Sequence, residues 1–79
     1  MWYVYILKDA NGRIYIGSTN NIKRRIIEHK NRKCLSTKSY NDIRLEAYIS
    51  VRKEKTARNL EKYLKTGSGR AILKKRILS

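Results

Sequence analysis

Residues 2–7, Trp-Tyr-Val-Tyr-Ile-Leu, carry no polar interruption. Every one is aromatic, β-branched or aliphatic, which favours an extended strand buried on both faces. A chain built around such a strand must cover it on two sides, and this chain has 79 residues with which to do so. A single domain over 1–79 with a modest core is therefore expected.

Lys8-Asp9-Ala10-Asn11-Gly12 follows as a turn, with Asn-Gly its strongest signal. Arg13-Ile-Tyr-Ile-Gly17 reads as a second strand, and the two strands should pair as a hairpin. If the loop spans 8–12, Leu7 pairs with Arg13 and Tyr5 falls opposite Tyr15, both on one face. A two-residue Asn11-Gly12 loop would instead pair Ala10 with Arg13 and separate the tyrosines. Lys8 and Asp9 are poor strand residues, which favours the first register.

Ser18-Thr19-Asn20-Asn21 is an N-cap region for a helix reaching about Asn31. At ~100° per residue, Ile22, Ile26 and His29 share one side with Arg25 at its edge, and Lys23, Arg24 and Glu28 lie away from it. Residues 32–42 are polar and aperiodic, and read as a loop. Ile43 to Val51 read as a third strand. A helix from about Lys53 to Lys65 carries Ala57, Leu60 and Leu64 on one stripe, and Thr66-Gly67-Ser68-Gly69 breaks it. A last helix, about 70–78, carries Ile72, Leu73 and Ile77. The order is β-β-α-β-α-α: an α+β domain with a three-stranded antiparallel or mixed sheet flanked by helices.

Twenty Lys and Arg against six Asp and Glu give a formal charge of +14. Such a chain calls for a polyanionic partner, and nucleic acid comes first because each neutralised phosphate releases counterions. An anionic membrane surface is the competitor, but no helix here carries the Trp- and Phe-bearing apolar face that lying on a membrane requires. The single Cys34 excludes an internal disulfide and fits a reducing cytoplasm. The chain opens directly on a strand, so neither a signal peptide nor a membrane span is expected.

Among the acids, Glu61 stands out. It lies four residues from Ala57 and three from Leu64, on or beside the apolar stripe. A carboxylate there is costly unless paired or metal-bound. A salt bridge to a nearby cation is the ordinary explanation, and a metal site the functional one. Six scattered acids do not assemble a two-metal cluster. One ion held by one carboxylate, substrate phosphate and waters suits magnesium. Arg25 and His29, four apart, share a helical face. Arg25 could clamp a phosphate, and His29 could act as acid, base or phosphate donor. Their ordinary roles are a solvated cation and a half-buried core histidine. Tyr5 and Tyr15 are either core aromatics or two phenols aimed at one phosphate. Gly17 at the strand end would let a phosphate backbone approach.

Together these residues resemble the GIY-YIG nucleases, a group that includes the nuclease half of the UvrC-type excision-repair incision subunit and some intron homing endonucleases. The likeness runs from about residue 2 to 78 and is nearest to the small single-domain bacterial members. The first motif element stands as Tyr3-Val4-Tyr5, with Tyr in place of Gly, and the second as Tyr15-Ile16-Gly17. Arg25 follows ten residues after Tyr15, His29 four after that, and Glu61 matches the glutamate of the later helix. Leu64 to Arg70 looks like the small-member ending. Many members carry an Asn about a dozen residues after that glutamate, where this chain reads Ala71-Ile72-Leu73-Lys74-Lys75-Arg76.

The resemblance implies Mg²⁺- or Mn²⁺-dependent hydrolysis of DNA phosphodiesters. Tyr5, Tyr15, Arg25, His29 and Glu61 would be the catalytic residues, with Glu61 the metal ligand. Gly17, Lys23, Arg24 and Arg25 would meet the nucleic acid. It implies weak sequence preference, a branched, nicked or damaged substrate, no small-molecule cofactor and no membrane partner. The alternatives are an inactive nucleic-acid-binding module of the same fold, and an interaction module for acidic proteins or membranes.

Overall fold

The computed structural model describes residues 1–78, with Ser36 described by its backbone alone. Three strands, β1 (Trp2–Lys8), β2 (Ile14–Thr19) and β3 (Arg44–Val51), form one sheet in the order β2-β1-β3. Both pairings are antiparallel. Helix α1 (Ile22–Lys30) and a 3-10 turn, Leu35–Thr37, connect β2 to β3. Helices α2 (Glu54–Leu64) and α3 (Gly67–Ile72) follow, and α3 continues into a π-helical turn, Leu73–Ile77.

The central place of β1 explains its unbroken apolar run. Val4 and Ile6 project to one face, where they pack with Ile16, Ala57, Leu64 and Leu73. Tyr5 and Leu7 project to the other, against Ile43, Ile22, Ile26 and Tyr40. The sheet is thus a middle layer, with α2 and α3 on one face and α1 with its following loop on the other. In β3 a bulge leaves Glu46 outside the pairing between Ala47 and Leu45, and this turns Leu45 toward the α1 face. Among the described residues no helix is long and apolar enough to cross a membrane.

The hairpin register differs from expectation by two residues. Tyr5 pairs with Gly17, and Leu7 with Tyr15. Asp9 is the cause. Its Oδ1 accepts from the amides of Asn11 (3.0 Å) and Arg13 (2.8 Å), and its Oδ2 from Arg13 Nε (3.0 Å) and the Asn41 amide (3.2 Å). The Asp9 amide closes the loop on the Arg13 carbonyl at 3.0 Å. Lys8 therefore stays in the strand opposite Ile14, and Gly12 supplies the positive φ, 83°, that the loop needs. A slip of two preserves side-chain direction, so Tyr5 and Tyr15 still share a face.

Helix α1 starts as expected, with Asn21 Oδ1 accepting from the Arg24 amide (3.1 Å). Two departures concern the C-terminal helices. The break after α2 is confined to Lys65-Thr66, because Thr66 Oγ1 accepts from the Gly69 amide (3.1 Å) and caps a helix that already begins at Gly67. Of Ile72, Leu73 and Ile77, only Leu73 is buried. Gly69 allows this sharp return: a Cβ there would lie 2.6 Å from Leu64 Cα, so α3 packs directly on the backbone of α2.

Candidate active site

The α1 face of the sheet carries a buried polar chain. Tyr5, at the centre of β1, is 1% exposed. Its Oη lies 3.0 Å from Nε2 of His29, and His29 Nδ1 lies 2.6 Å from Thr37 Oγ1. The Tyr15 ring stands 5.0 Å from the imidazole and 6.2 Å from the Tyr5 ring. Gly17 completes the pocket from β2. A Cβ at Gly17 would sit 2.6 Å from Tyr5 Cζ, so the phenol occupies the space a side chain would fill. The glycine's visible role is to seat Tyr5, and it is itself buried.

Arg25, half-buried on α1, donates to Glu28 Oε1 at 2.9 Å. Glu28 is accordingly half-buried and paired, not free in solvent as its position on the helix had suggested. Burial pushes the Tyr5 phenol up to about 12, against the opposing pull of the neighbouring Arg25 guanidinium. Tyr5 and Glu28 in turn hold Arg25 in its charged form. Burial, and then the Arg25 charge, lower the His29 pKa below its ordinary value, with Glu28 acting the other way. At neutral pH the cluster thus presents a neutral phenol, a neutral imidazole and a fixed positive charge.

Glu61 lies across the edge strand, on the α2 side. Tyr15 and Gly17 point toward α1, whereas Ser18, next in β2, points toward α2. Ser18 Oγ donates to Glu61 Oε1 at 2.5 Å, and Lys65 Nζ donates to Oε2 at 2.7 Å. The same ammonium stands 5.9 Å from the centroid of the Tyr15 ring, joining the two halves of the site around β2. Burial raises the Glu61 carboxyl, but the Lys65 and Ser18 bonds, with the charges of Lys65 and Arg58, outweigh it and keep the group ionised.

Among the described residues no three His, Cys, Asp or Glu side chains converge as a metal cluster. Glu61 fits a single hard cation nonetheless. It is ionised, its side chain is 21% exposed, and its two oxygens offer about four acceptor positions, of which two are used. Magnesium takes such a lone carboxylate and fills its remaining positions with water and phosphate oxygens. The Lys65 salt bridge occupies one of the oxygens such an ion would share.

Tyr5, Tyr15, Arg25 and His29 form one cluster, with Glu61 at its border. Lys23 and Arg24 are exposed on α1. Three participants escaped the sequence reading. Lys65 carried a signal, since it lies one helical turn beyond Glu61. Ser18 carried a weaker one, as the neighbour of Gly17. Thr37 carried none, in an aperiodic stretch. A cleft of about 230 Å³ is lined by His29, Lys30, Arg32, Tyr40, Asp42 and Ile43.

Local stretches of the chain resemble three curated proteins. It is 50% identical over 38 residues to a UPF0213 protein in the VLF1-GP41 intergenic region of Autographa californica nuclear polyhedrosis virus, covering 44% of this chain and 36% of the relative. It is 52% identical over 29 residues to a UPF0213 protein of Nitratidesulfovibrio vulgaris, covering 37% and 26%. It is 57% identical over 28 residues to one of Desulfotalea psychrophila, covering 35% and 26%. The matched stretches therefore span about a third or less of those relatives. No solved structure matches the chain. Residues 1–76 match the GIY-YIG catalytic domain, and the chain belongs to this family of nuclease-type domains.

Proposed function

We propose that this domain is a metal-dependent endonuclease that hydrolyses phosphodiester bonds in DNA, with one Mg²⁺ or Mn²⁺ ion held by Glu61. The observation that carries the reading is the placement of an ionised Glu61 and a permanently charged Arg25 on either side of the Tyr5-Tyr15-His29 cluster. When bound, the ion would polarise the scissile phosphate and stabilise the leaving oxygen. Arg25 neutralises the charge that grows on the phosphate, a role worth on the order of 10²–10³ in rate for a single well-placed donor. Tyr5 and Tyr15 line the approach of the attacking water. The net charge of +14 supplies affinity for the polyanion without sequence readout. Weak sequence preference, and a branched, nicked or damaged substrate, belong to the same proposal.

The deciding experiment is nicking of supercoiled plasmid with Mg²⁺, with and without EDTA, by wild type and Glu61→Ala. Cutting should require both the metal and Glu61, while salt-sensitive DNA binding persists in the variant. Cutting by Glu61→Ala would remove the carboxylate from its role. A folded wild type that binds DNA and never cuts it would leave the inactive binding module of the same fold.

A further inference from the structure

Thr37 has no part in the reading so far, yet it is 0% exposed and belongs to the same buried unit as His29 and Tyr5. Its hydroxyl lies 2.6 Å from His29 Nδ1, and on the opposite side of the ring Nε2 lies 3.0 Å from Tyr5 Oη. Two hydrogen placements fit these distances: Nδ1–H donating to Thr37 with Nε2 accepting from Tyr5, or Thr37 O–H donating to Nδ1 with Nε2–H donating to Tyr5. A neutral phenol has one hydrogen to place, and a buried O–H without an acceptor is costly. Arg25 beside it offers only donors. Thr37 Oγ1 likewise has one hydrogen to place and no second partner among the described residues, so each placement leaves one hydroxyl hydrogen without an internal acceptor, and only the one with Nε2 bare lets Tyr5 pass a proton to the imidazole. A neutral imidazole with bare Nε2 is protonated on Nδ1, and Thr37 Oγ1 is where that N–H goes.

We infer that Thr37 is a positioning residue: by accepting from His29 Nδ1 it holds Nε2 bare and aimed at Tyr5, so that the neutral phenol relays a proton from the attacking water to His29. This rests on the nuclease reading of the site. As the water oxygen bonds to phosphorus, the water gives a proton to Tyr5 Oη and Tyr5 gives its own to Nε2. The bond from phosphorus to the leaving oxygen breaks, and that oxygen takes a proton from solvent. His29 ends as an imidazolium with Nδ1–H still on Thr37, and no phenolate forms. A phenol whose acidity burial has weakened is scarcely ionised at neutral pH, so little phenolate is available as a base, but while neutral it is a serviceable conduit. The charged and titratable groups around the imidazole are Tyr5 on β1, Tyr15 on β2, Arg25, Glu28 and Lys30 on α1, Cys34 before the 3-10 turn, and Arg32, Tyr40 and Asp42 along the cleft.

The chain contains one histidine, so ring-¹⁵N spectra of the full chain report its tautomer without ambiguity. Wild type should show Nδ1 protonated and Nε2 bare at neutral pH, and cleavage should fall in acid with an apparent pKa below 6.5. Thr37→Val keeps the shape and removes the acceptor. It should lose that tautomer preference and cut more slowly, on the order of tenfold to a hundredfold, at or below the lower end of general acid–base contributions because the acid–base groups themselves remain. Thr37→Ser should restore both. A wild type protonated on Nε2 overturns the inference even if Thr37→Val fails to fold. So does a folded Thr37→Val with unchanged tautomer and pH profile. A wild type with bare Nε2 that cuts no DNA overturns the nuclease reading and the relay with it, leaving the Thr37–His29 hydrogen bond a structural one.

Discussion

Gly17→Ala should destabilise the fold and disconnect Tyr5 from His29, although alanine is the better residue on local grounds. In the unfolded chain the substitution removes conformational freedom, an advantage of about 0.4–1 kcal/mol where the native backbone accepts a side chain. Gly17 is a strand residue without positive φ, so that advantage applies. Against it stands a Cβ placed 2.6 Å from Tyr5 Cζ, where carbon atoms pack at about 3.5–4.0 Å. One of the two must move by roughly 1 Å. Tyr5 cannot swing outward, because it is 1% exposed and packed against Leu7 and Ile43, with its hydroxyl on His29 Nε2 at 3.0 Å. Overpacking of this kind costs about 1–3 kcal/mol, so the net loss is about 0–2.5 kcal/mol once the backbone gain is subtracted. For a domain of 60–100 residues each kcal/mol lowers Tm by roughly 4–8 °C. Thermal and urea unfolding measure the loss, and the ring-¹⁵N spectrum of His29 reports whether Tyr5 still meets it. A variant as stable as wild type or more so, with an unshifted His29 signal, would refute the claim that the Gly17 site is filled by Tyr5.

Gly69→Ala meets backbone instead of side chain, with the new Cβ 2.6 Å from Leu64 Cα. It should lift α3 and expose Leu73, costing at least about 1–3 kcal/mol in urea unfolding, and a neutral effect would contradict the close packing of α3 on α2. Asp9→Asn gives up acceptor capacity on one side of the hairpin loop and should lower Tm. Burial raises the Asp9 carboxyl, but the Arg13 and Asn41 bonds with the Arg13 charge outweigh it and hold the group below the ordinary 3.8, so its contribution is complete above that value and fades as pH falls through the folded one. Melting curves of wild type and Asp9→Asn should therefore converge in acid, and a constant gap would exclude the carboxylate as the source. Lys65→Met keeps the hydrocarbon stem and removes the ammonium from Glu61. A half-exposed pair of this kind is worth about 0.2–1 kcal/mol, so Mn²⁺ binding followed by electron paramagnetic resonance should tighten by up to about fivefold. Unchanged or weaker binding would mean that Lys65 does not stand in the way of a cation.

The parts of this fold legible in the sequence are those where the direction of a side chain follows from its own element. The run from Trp2 to Leu7 has no polar face, and β1 proved to be the strand covered on both sides. The helical period placed Ile22, Ile26 and His29 together, and they do face the sheet. It also placed Glu61 beside the Ala57–Leu64 stripe, where Lys65 pairs with it as a nearby cation was expected to. What failed was decided by side chains reaching across the chain. Lys8 and Asp9 looked too poor as strand residues to extend the hairpin, but Asp9 binds the loop and Asn41 at once, which leaves Lys8 in the strand, and no local rule weighs a contact to residue 41 against strand propensity.

Gly17 and Thr37 show the same limit from two directions. The glycine reads as a point of substrate access, and its packing role is not legible because a missing side chain has no address of its own; only the two-residue register shift brings Tyr5 over it. Thr37 lies in a stretch whose polarity argued for solvent, and it is buried because His29, eight residues earlier, needs a partner for Nδ1. A polar residue in an aperiodic segment becomes interior when a buried donor elsewhere must be satisfied. Burial of the imidazole therefore explains the ordered turn at Leu35–Thr37 better than the composition of the turn does. The proposed catalytic face and the folding of that connection share one hydrogen bond, so a variant chosen to alter the first has to be checked for the second.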